Sequence, residues 1–263
     1  MPRSPLMNVM VQAVTKVGRS MRRDFGEVEQ LQVSIKGPSD FVSAADRRAE
    51  DMLRAELSRV RPDVGFLLEE GGAIEGRDPA QRFIIDPIDG TTNFLHGIPH
   101  FAISVALERN GSLVAAVVYN PVGDELFTAE RGGGAFLNDR RIRVSGRTKA
   151  EDCVIGTGVP HRGKGDHTLF GRELRIVQAE VAGIRRAGAA SLDLAWVAAG
   201  RLDGYWERNL KAWDLAAGLL LVREAGGYAS DLDGRDDILT KGHVACGNET
   251  IQRWLVDRLK AAR

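Results

Sequence analysis

The sequence predicts an α/β protein, a layered sandwich of alternating helices and sheets, from three observations. Helical apolar periods occupy the first sixty residues, strand texture runs from Phe83 to about Val144, and apolar segments alternate with helical ones beyond about residue 150. At 263 residues the chain can bury a substantial core. We expect one compact unit with an N-terminal α+β part, residues 1–148, and a C-terminal α/β part, residues 149–263.

Taken in order, Leu6, Val9, Met10, Ala13, Val14 and Val17 follow a helical period, and Asn8, Gln12 and Lys16 interrupt it. That pattern reads as an amphipathic core helix and excludes a signal peptide or a membrane span. A second helix is expected over about residues 44 to 60, with Asp46 in its first turn and Leu53 and Leu57 on its inner face. The apolar run Phe66 to Leu68 precedes Glu69 and Glu70. Phe83 to Ile85 reads as a buried strand, and Pro87 argues against its simple continuation because proline has no N–H for the ladder. Two apolar runs around Asn110-Gly111 predict a hairpin. "RGGGAF" (Arg131 to Phe136) lacks the lysine and hydroxyl residue of a phosphate loop and reads as a tight hairpin. Further on, Ser191 and Asp193 are expected to start the helix through "LAWVAAG", so no serine nucleophile is inferred.

Lysine plus arginine equals aspartate plus glutamate, 36 each, which gives no electrostatic drive toward nucleic acid or an anionic membrane. "RRIR" (Arg140 to Arg143) is a local exception. Cys153 and Cys246 are far apart, lack metal-ligand spacing, and read as reduced, buried thiols of a cytoplasmic protein. His96 and His100 have a zinc-compatible spacing, but Gly97 and Pro99 between them oppose the continuous helix such a site needs. His161 and His167 read as part of a polar loop.

The acids carry the chemistry. Asp86 and Asp89 stand where a strand leaves the core, and two close carboxylates repel unless a cation lies between them. Mg2+ takes such oxygen ligands and keeps sites open for water or phosphate. Asp214, opening the helix of "KAWDLAAG", either caps it or binds metal, and spacing alone does not separate these roles. Glu69 and Glu70 equally read as a solvated loop.

"DPIDGTTNF" (residues 86–94) and "WDLAAG" (residues 213–218) resemble the two signatures of the inositol monophosphatase family. The resemblance extends to "DFVSAADRRAE" (40–50), the acids at 69–70 and "GAASLDLAWVAAGRLDGYWE" (188–207), in the family's order across nearly the whole chain. It implies a layered α/β fold and a Mg2+-dependent, often lithium-sensitive phosphomonoesterase, usually homodimeric, with two or three Mg2+ per active site. By motif position it makes Glu69, Asp86 and the Ile88 carbonyl ligands of one ion, and Asp86, Asp89 and Asp214 ligands of a second. Glu69 would help a weaker third ion through water, while Thr91 and Asp46 would orient and deprotonate the attacking water. Gly90 and Thr91 N–H groups would meet the phosphate. Asp89, Gly188, Ala189, Ala190, Glu207 and Asp214 would meet the alcohol, and Lys36 would belong to a flap. Ala189 replaces a threonine of some members, Ala212 a frequent bacterial proline, and Lys211 adds a cation beside the substrate region. The expected reaction is hydrolysis of myo-inositol monophosphate. The alternatives are fructose 1,6-bisphosphate, adenosine 3′,5′-bisphosphate, NADP or histidinol phosphate as substrate, or a role as a partner of the transcription machinery.

Overall fold

The structure, a computed structural model, describes residues 3–27, 38–160 and 165–263. Lys36 and His161 lie outside the described residues. Helix α1 (Pro5–Gly26) starts at Ser4, whose hydroxyl accepts the Met7 N–H at 3.0 Å, and Pro5 takes the first helical position. Its apolar face packs Met10, Val14 and Val17 with Leu53 and Leu57 of helix α2 (Pro38–Val60). This second helix begins at Pro38 rather than near residue 44, a start that proline's fixed φ favours. Asp46 therefore stands well inside α2, not in its first turn.

An eight-stranded sheet follows: β1 (Val64–Leu68), β2 (Gly72–Ile74), β3 (Asp78–Asp89), β4 (Ala102–Arg109), β5 (Ser112–Asn120), β6 (Glu125–Glu130), β7 (Gly134–Leu137) and β8 (Arg140–Arg141). The order is β2-β1-β3-β4-β5-β6-β7-β8, with β1 and β3 parallel. Asn110 and Gly111 join β4 to β5 with φ of 50° and 70°, as a two-residue turn of primed type requires. A single turn of helix, α3 (Thr91–Leu95), links β3 to β4.

The rest of the chain runs β9 (Val154–Thr157), α4 (His167–Gln178), β10 (Gly183–Arg185), α5 (Ala190–Ala198), β11 (Gly204–Glu207), α6 (Ala212–Glu224), β12 (Tyr228–Ser230), α7 (Ile238–Lys241), β13 (Val244–Gly247) and α8 (Glu249–Ala261). Its five strands order as β10-β9-β11-β13-β12.

Side-chain alternation along the strands defines the layers. Phe83, Ile85, Ile103, Val105 and Val117 face α1 and α2, while Ile84, Ala102, Ala106, Ala116 and Val118 face α5 and α6. In the smaller sheet Tyr205, Val244 and Cys246 face the same α5–α6 layer, and Ile155, Trp206 and Ala245 face Leu255 and Leu259 of α8. The stack is thus helix, sheet, helix, sheet, helix. Helices α5 and α6 sit in the middle, which explains why their sequences are apolar all round. Gly218 lets them meet: a Cβ there would lie 2.5 Å from Leu194 Cβ. Cys153 and Cys246 are buried free thiols. Among the described residues no helix is long and apolar enough to cross a membrane.

Candidate active site

Strand β3 does not stop at Pro87; it bulges there. Asp86 pairs with Ser104 and Asp89 with Ala102, so three steps along β3 oppose two along β4. In a regular strand residues three apart face opposite sides. The bulge instead turns Asp86 and Asp89 to one side, toward α5 and α6, and Ile85 and Ile88 together to the other. Proline's missing N–H costs nothing at such an irregularity. Asp86 Oδ1 accepts the Ile88 N–H at 3.0 Å and closes the bend.

Gly90 follows with φ 95°, and a Cβ there would press on Ala189 Cβ at 3.1 Å and the His100 carbonyl at 3.1 Å. Both the backbone angle and the space call for glycine. Helix α3 begins at once, and its five residues make one turn. Thr91 donates its hydroxyl hydrogen to the Ile88 carbonyl at 3.0 Å, and among the described residues it makes no hydrogen bond to Asp46.

Asp214 reaches the same place from the central layer. It lies in the first turn of α6, and its Oδ2 accepts the Lys211 N–H at 2.7 Å. The two readings of this residue coexist, because it caps the helix while Asp86, Asp89 and Asp214 offer oxygens all within 4.8 Å of one another. The close contact at Gly218, one turn further along α6, fixes that helix against α5. Helix α5 in turn holds Asp89, which accepts Ala190 N–H at 3.2 Å, Ser191 N–H at 2.6 Å and the Ser191 hydroxyl at 2.5 Å. Asp89 thus receives the free N–H groups of a helix start.

Burial first, then the charges of Glu69, Asp89 and Asp214, push the Asp86 carboxyl well above the usual carboxylate range. Asp89 is raised to about 7 by burial and the Asp214 charge, against the Ser191 hydrogen bonds. Asp214 is raised to about 6, chiefly by burial, with the Lys211 N–H opposing. Glu69, at the turn after β1, is raised by burial against a hydrogen bond shared with Asp86. Asp46, 3% exposed, is raised to about 8 by burial and then by Glu69, Glu70 and Glu50. Its Oδ1 is buried without a hydrogen-bond partner. No ion pair balances these acids among the described residues, so each waits for a proton or a cation. A hard divalent ion fits this all-oxygen donor set.

Glu207 ends β11 and is raised to about 8, chiefly by burial. Tyr205, two residues earlier on the same strand face, donates its hydroxyl to Glu207 Oε2. Gly188 has φ 96°, and Ala189 caps α5. The structure therefore brings Asp46, Glu69, Asp86, Ile88, Asp89, Gly90, Thr91, Ala189, Ala190 and Asp214 into one neighbourhood. The charges of Asp89 and Asp214 also reach Glu207.

Ser191 and Tyr205 contribute to the site in ways not singled out from the sequence, and other named motifs have local roles. Ser191 holds Asp89, yet its string signals only a helix start. Tyr205 was legible as the residue two before Glu207. His100, set aside as a zinc ligand, instead meets Asp193 at 3.1 Å and Trp196 edge to face. The glycines of "RGGGAF" do turn β6 into β7, and Glu224 accepts the Gly132 and Gly134 N–H groups at 2.8 Å each. That nest already contains its anion. A cavity of about 640 Å3 between β3–β5 and α6–α7 contains none of the clustered acids. Chemistry, not cavity size, locates the site.

A five-layer α/β fold with buried, unbalanced carboxylates brought together could hold a metal ion, and similarity narrows the class. The inositol monophosphatase family matches residues 3–262. An inositol-1-monophosphatase of Mesorhizobium japonicum is 65% identical over 99% of this chain and 98% of its own. A protein of Pseudomonas aeruginosa named Nus factor SuhB is 47% identical over 93% of this chain and 92% of its own. The crystal structure of extragenic suppressor protein suhB from Bartonella henselae superposes with a TM-score of 0.92 at 61% identity, covering 98% of this chain and 99% of that one. The chain belongs to the inositol monophosphatase family.

Proposed function

We propose that the protein hydrolyses a small phosphomonoester in a Mg2+-dependent reaction, with a myo-inositol monophosphate as its preferred substrate. The observation that carries this reading is the convergence of Asp86, Asp89 and Asp214 with no ion pair to balance them among the described residues. Glu69, Asp86, the Ile88 carbonyl, Asp89 and Asp214 would hold two or three Mg2+. Bound there, the ions would supply charge neutralisation for the phosphate and leaving oxygen and a lowered pKa for a bound water.

The chain's own groups would do the rest. Thr91 has committed its hydroxyl hydrogen to Ile88, so its oxygen is left to accept a hydrogen from the attacking water. Asp46, with an oxygen lacking any partner, would take the proton. Gly90 and Thr91 would offer N–H groups to the phosphate. Glu207, pinned through one oxygen by Tyr205, would accept a hydroxyl of the alcohol with the other. Buried, unpaired thiols and the two sheets, separated between Arg141 and Val154, support a cytoplasmic protein divided at about residue 148, and family membership supports a homodimer.

The test is phosphate release from myo-inositol 1-phosphate with and without Mg2+, beside fructose 1,6-bisphosphate, adenosine 3′,5′-bisphosphate, NADP and histidinol phosphate. Mg2+-dependent turnover favouring the inositol ester is expected. Preference for another ester would discard the substrate and keep the chemistry.

A second reading, as a partner of the transcription machinery, draws on the relative named Nus factor SuhB. Arg140 and Arg143 are exposed and suit such a contact. Salt-sensitive RNA or polymerase binding by a catalytically inactive variant would favour it.

A further inference from the structure

We propose that Glu50 is a positioning residue for the metal site: its buried carboxylate anchors the turn that presents Glu69. The inference rests on the metal-site reading above. Glu50 and Asp46 lie one turn apart on α2, so their side chains share a face. Glu50 is 5% exposed, and its Oε2 accepts the Glu70 N–H at 3.0 Å. The Gly71 N–H reaches the same carboxylate. These N–H groups belong to the turn between β1 and β2, where Glu69 is the first residue.

The neighbourhood makes this carboxylate hard to explain otherwise. No ion pair engages Glu50 among the described residues, and Glu70 and Asp51 both add like charge. Asp46 feels the Glu50 charge in turn. A buried acid among acids is destabilising, and a neutral residue would fill the space more cheaply. What an apolar residue does not offer is a pair of acceptors for two adjacent N–H groups. Through them α2 is tied to the β1–β2 turn, and Asp46 on the helix is held in register with Glu69 on the turn. Glu69 then meets Asp86. The packing is close: a Cβ on Gly71 would lie 3.0 Å from Glu50 Oε1 and 3.1 Å from Leu68 Cδ1.

The experiment is calorimetric titration of Mg2+ into the metal-free protein, without substrate, for wild type, Glu50→Ala, Glu50→Gln, Gly71→Ala and Glu56→Ala. Each variant's fold is checked by circular dichroism. Loss of the anchor in Glu50→Ala is expected to weaken Mg2+ binding about tenfold or more, the scale seen when groups that orient ligands are removed. Glu50→Gln keeps one acceptor and should recover most of the affinity. Gly71→Ala, which displaces the carboxylate without removing its charge, should fall between them. Glu56→Ala alters a half-buried acid of the same helix that pairs with Lys16 rather than with the β1–β2 turn, and should match wild type. Affinity in Glu50→Ala within about twofold of wild type, or equal losses in Glu50→Ala and Glu50→Gln, would overturn the proposal. If Glu50→Ala does not fold, the Gln and Gly71 variants decide alone. Absence of Mg2+ binding by wild type would instead remove the site reading, and this inference with it.

Discussion

Asp231, just past the end of β12, and Asp86, at the bulge of β3, are both buried aspartates, 0% and 2% exposed, and their strings, "DLDG" and "DPIDG", look alike. Around Asp231 every need is met. Its Oδ1 accepts the Asp233 and Arg235 N–H groups at 2.9 and 2.7 Å, and its Oδ2 accepts Lys241 Nζ at 2.5 Å. Burial raises its pKa, but the lysine and N–H groups outweigh burial and hold the carboxyl below its ordinary value. Asp86 accepts one N–H and otherwise faces Glu69, Asp89 and Asp214, which push it up. Burial alone does not separate the two acids. Lys241 answers the charge of Asp231, and among the described residues no ion pair answers that of Asp86.

The sharpest way to break this contrast is to neutralise each centre. Asp86→Asn keeps an oxygen for the Ile88 N–H and removes one charge. It should lower phosphatase kcat/KM on the order of 10³-fold while raising, not lowering, the melting temperature of the metal-free protein. Full activity at limiting Mg2+ would deny Asp86 its role. Asp231→Ala should do the reverse, lowering the melting temperature by about 6–10 °C while leaving kcat/KM at 25 °C nearly unchanged.

The two centres also predict opposite pH slopes. At Asp86, Asp89 and Asp214 the folded pKa lies above the unfolded value, so the folded metal-free protein binds the extra protons. Its stability should fall as pH rises from about 4 through about 7, the folded range of Asp89 and Asp214, and continue to fall through about 8, where Asp46 and Glu207 lose their protons. At Asp231 the folded pKa is depressed. That contribution is present above the ordinary aspartate value and is lost as pH falls through the folded one. Melting curves of metal-free protein across this range, compared with Asp86→Asn and Asp231→Ala, separate the two slopes. A wild-type curve flat from pH 4 to 7 would contradict the first.

The smallest effect belongs to the glycine turn. Glu224→Gln leaves one oxygen for two N–H groups, so the melting temperature should drop by about 1–3 °C with activity unchanged. A large loss of activity would mean that the nest serves the site.

Much of this was legible in the string. Strand and helix periods predicted the alternating layers, and Asn110-Gly111 announced its hairpin. The acids that converge, Asp86, Asp89 and Asp214, were singled out through motif resemblance. Two things were not. Pro87 reads as the end of a strand, whereas a one-residue bulge keeps β3 going and turns Asp86 and Asp89 to the same side. Register irregularity is a property of the pairing with β4, which no local pattern contains. Nor do Ser191 and Glu50 announce themselves, because each acts by donating or accepting across a long sequence separation, to Asp89 and to the β1–β2 turn. The helix expected from about residue 44 starts at Pro38 because the apolar period that marks its inner face begins later than the helix itself.

The most direct test of the central claim is Mg2+ titration into the metal-free wild-type protein, by calorimetry, at pH 8 and at pH 5.5. Above the raised pKa values of Asp89 and Asp214 the carboxylates are already charged, and below them Mg2+ must displace protons. The account predicts binding at pH 8, weaker by about tenfold or more at pH 5.5 with proton release, and abolished by Asp86→Asn. Equal affinity at both pH values, or binding that survives Asp86→Asn unchanged, would contradict it.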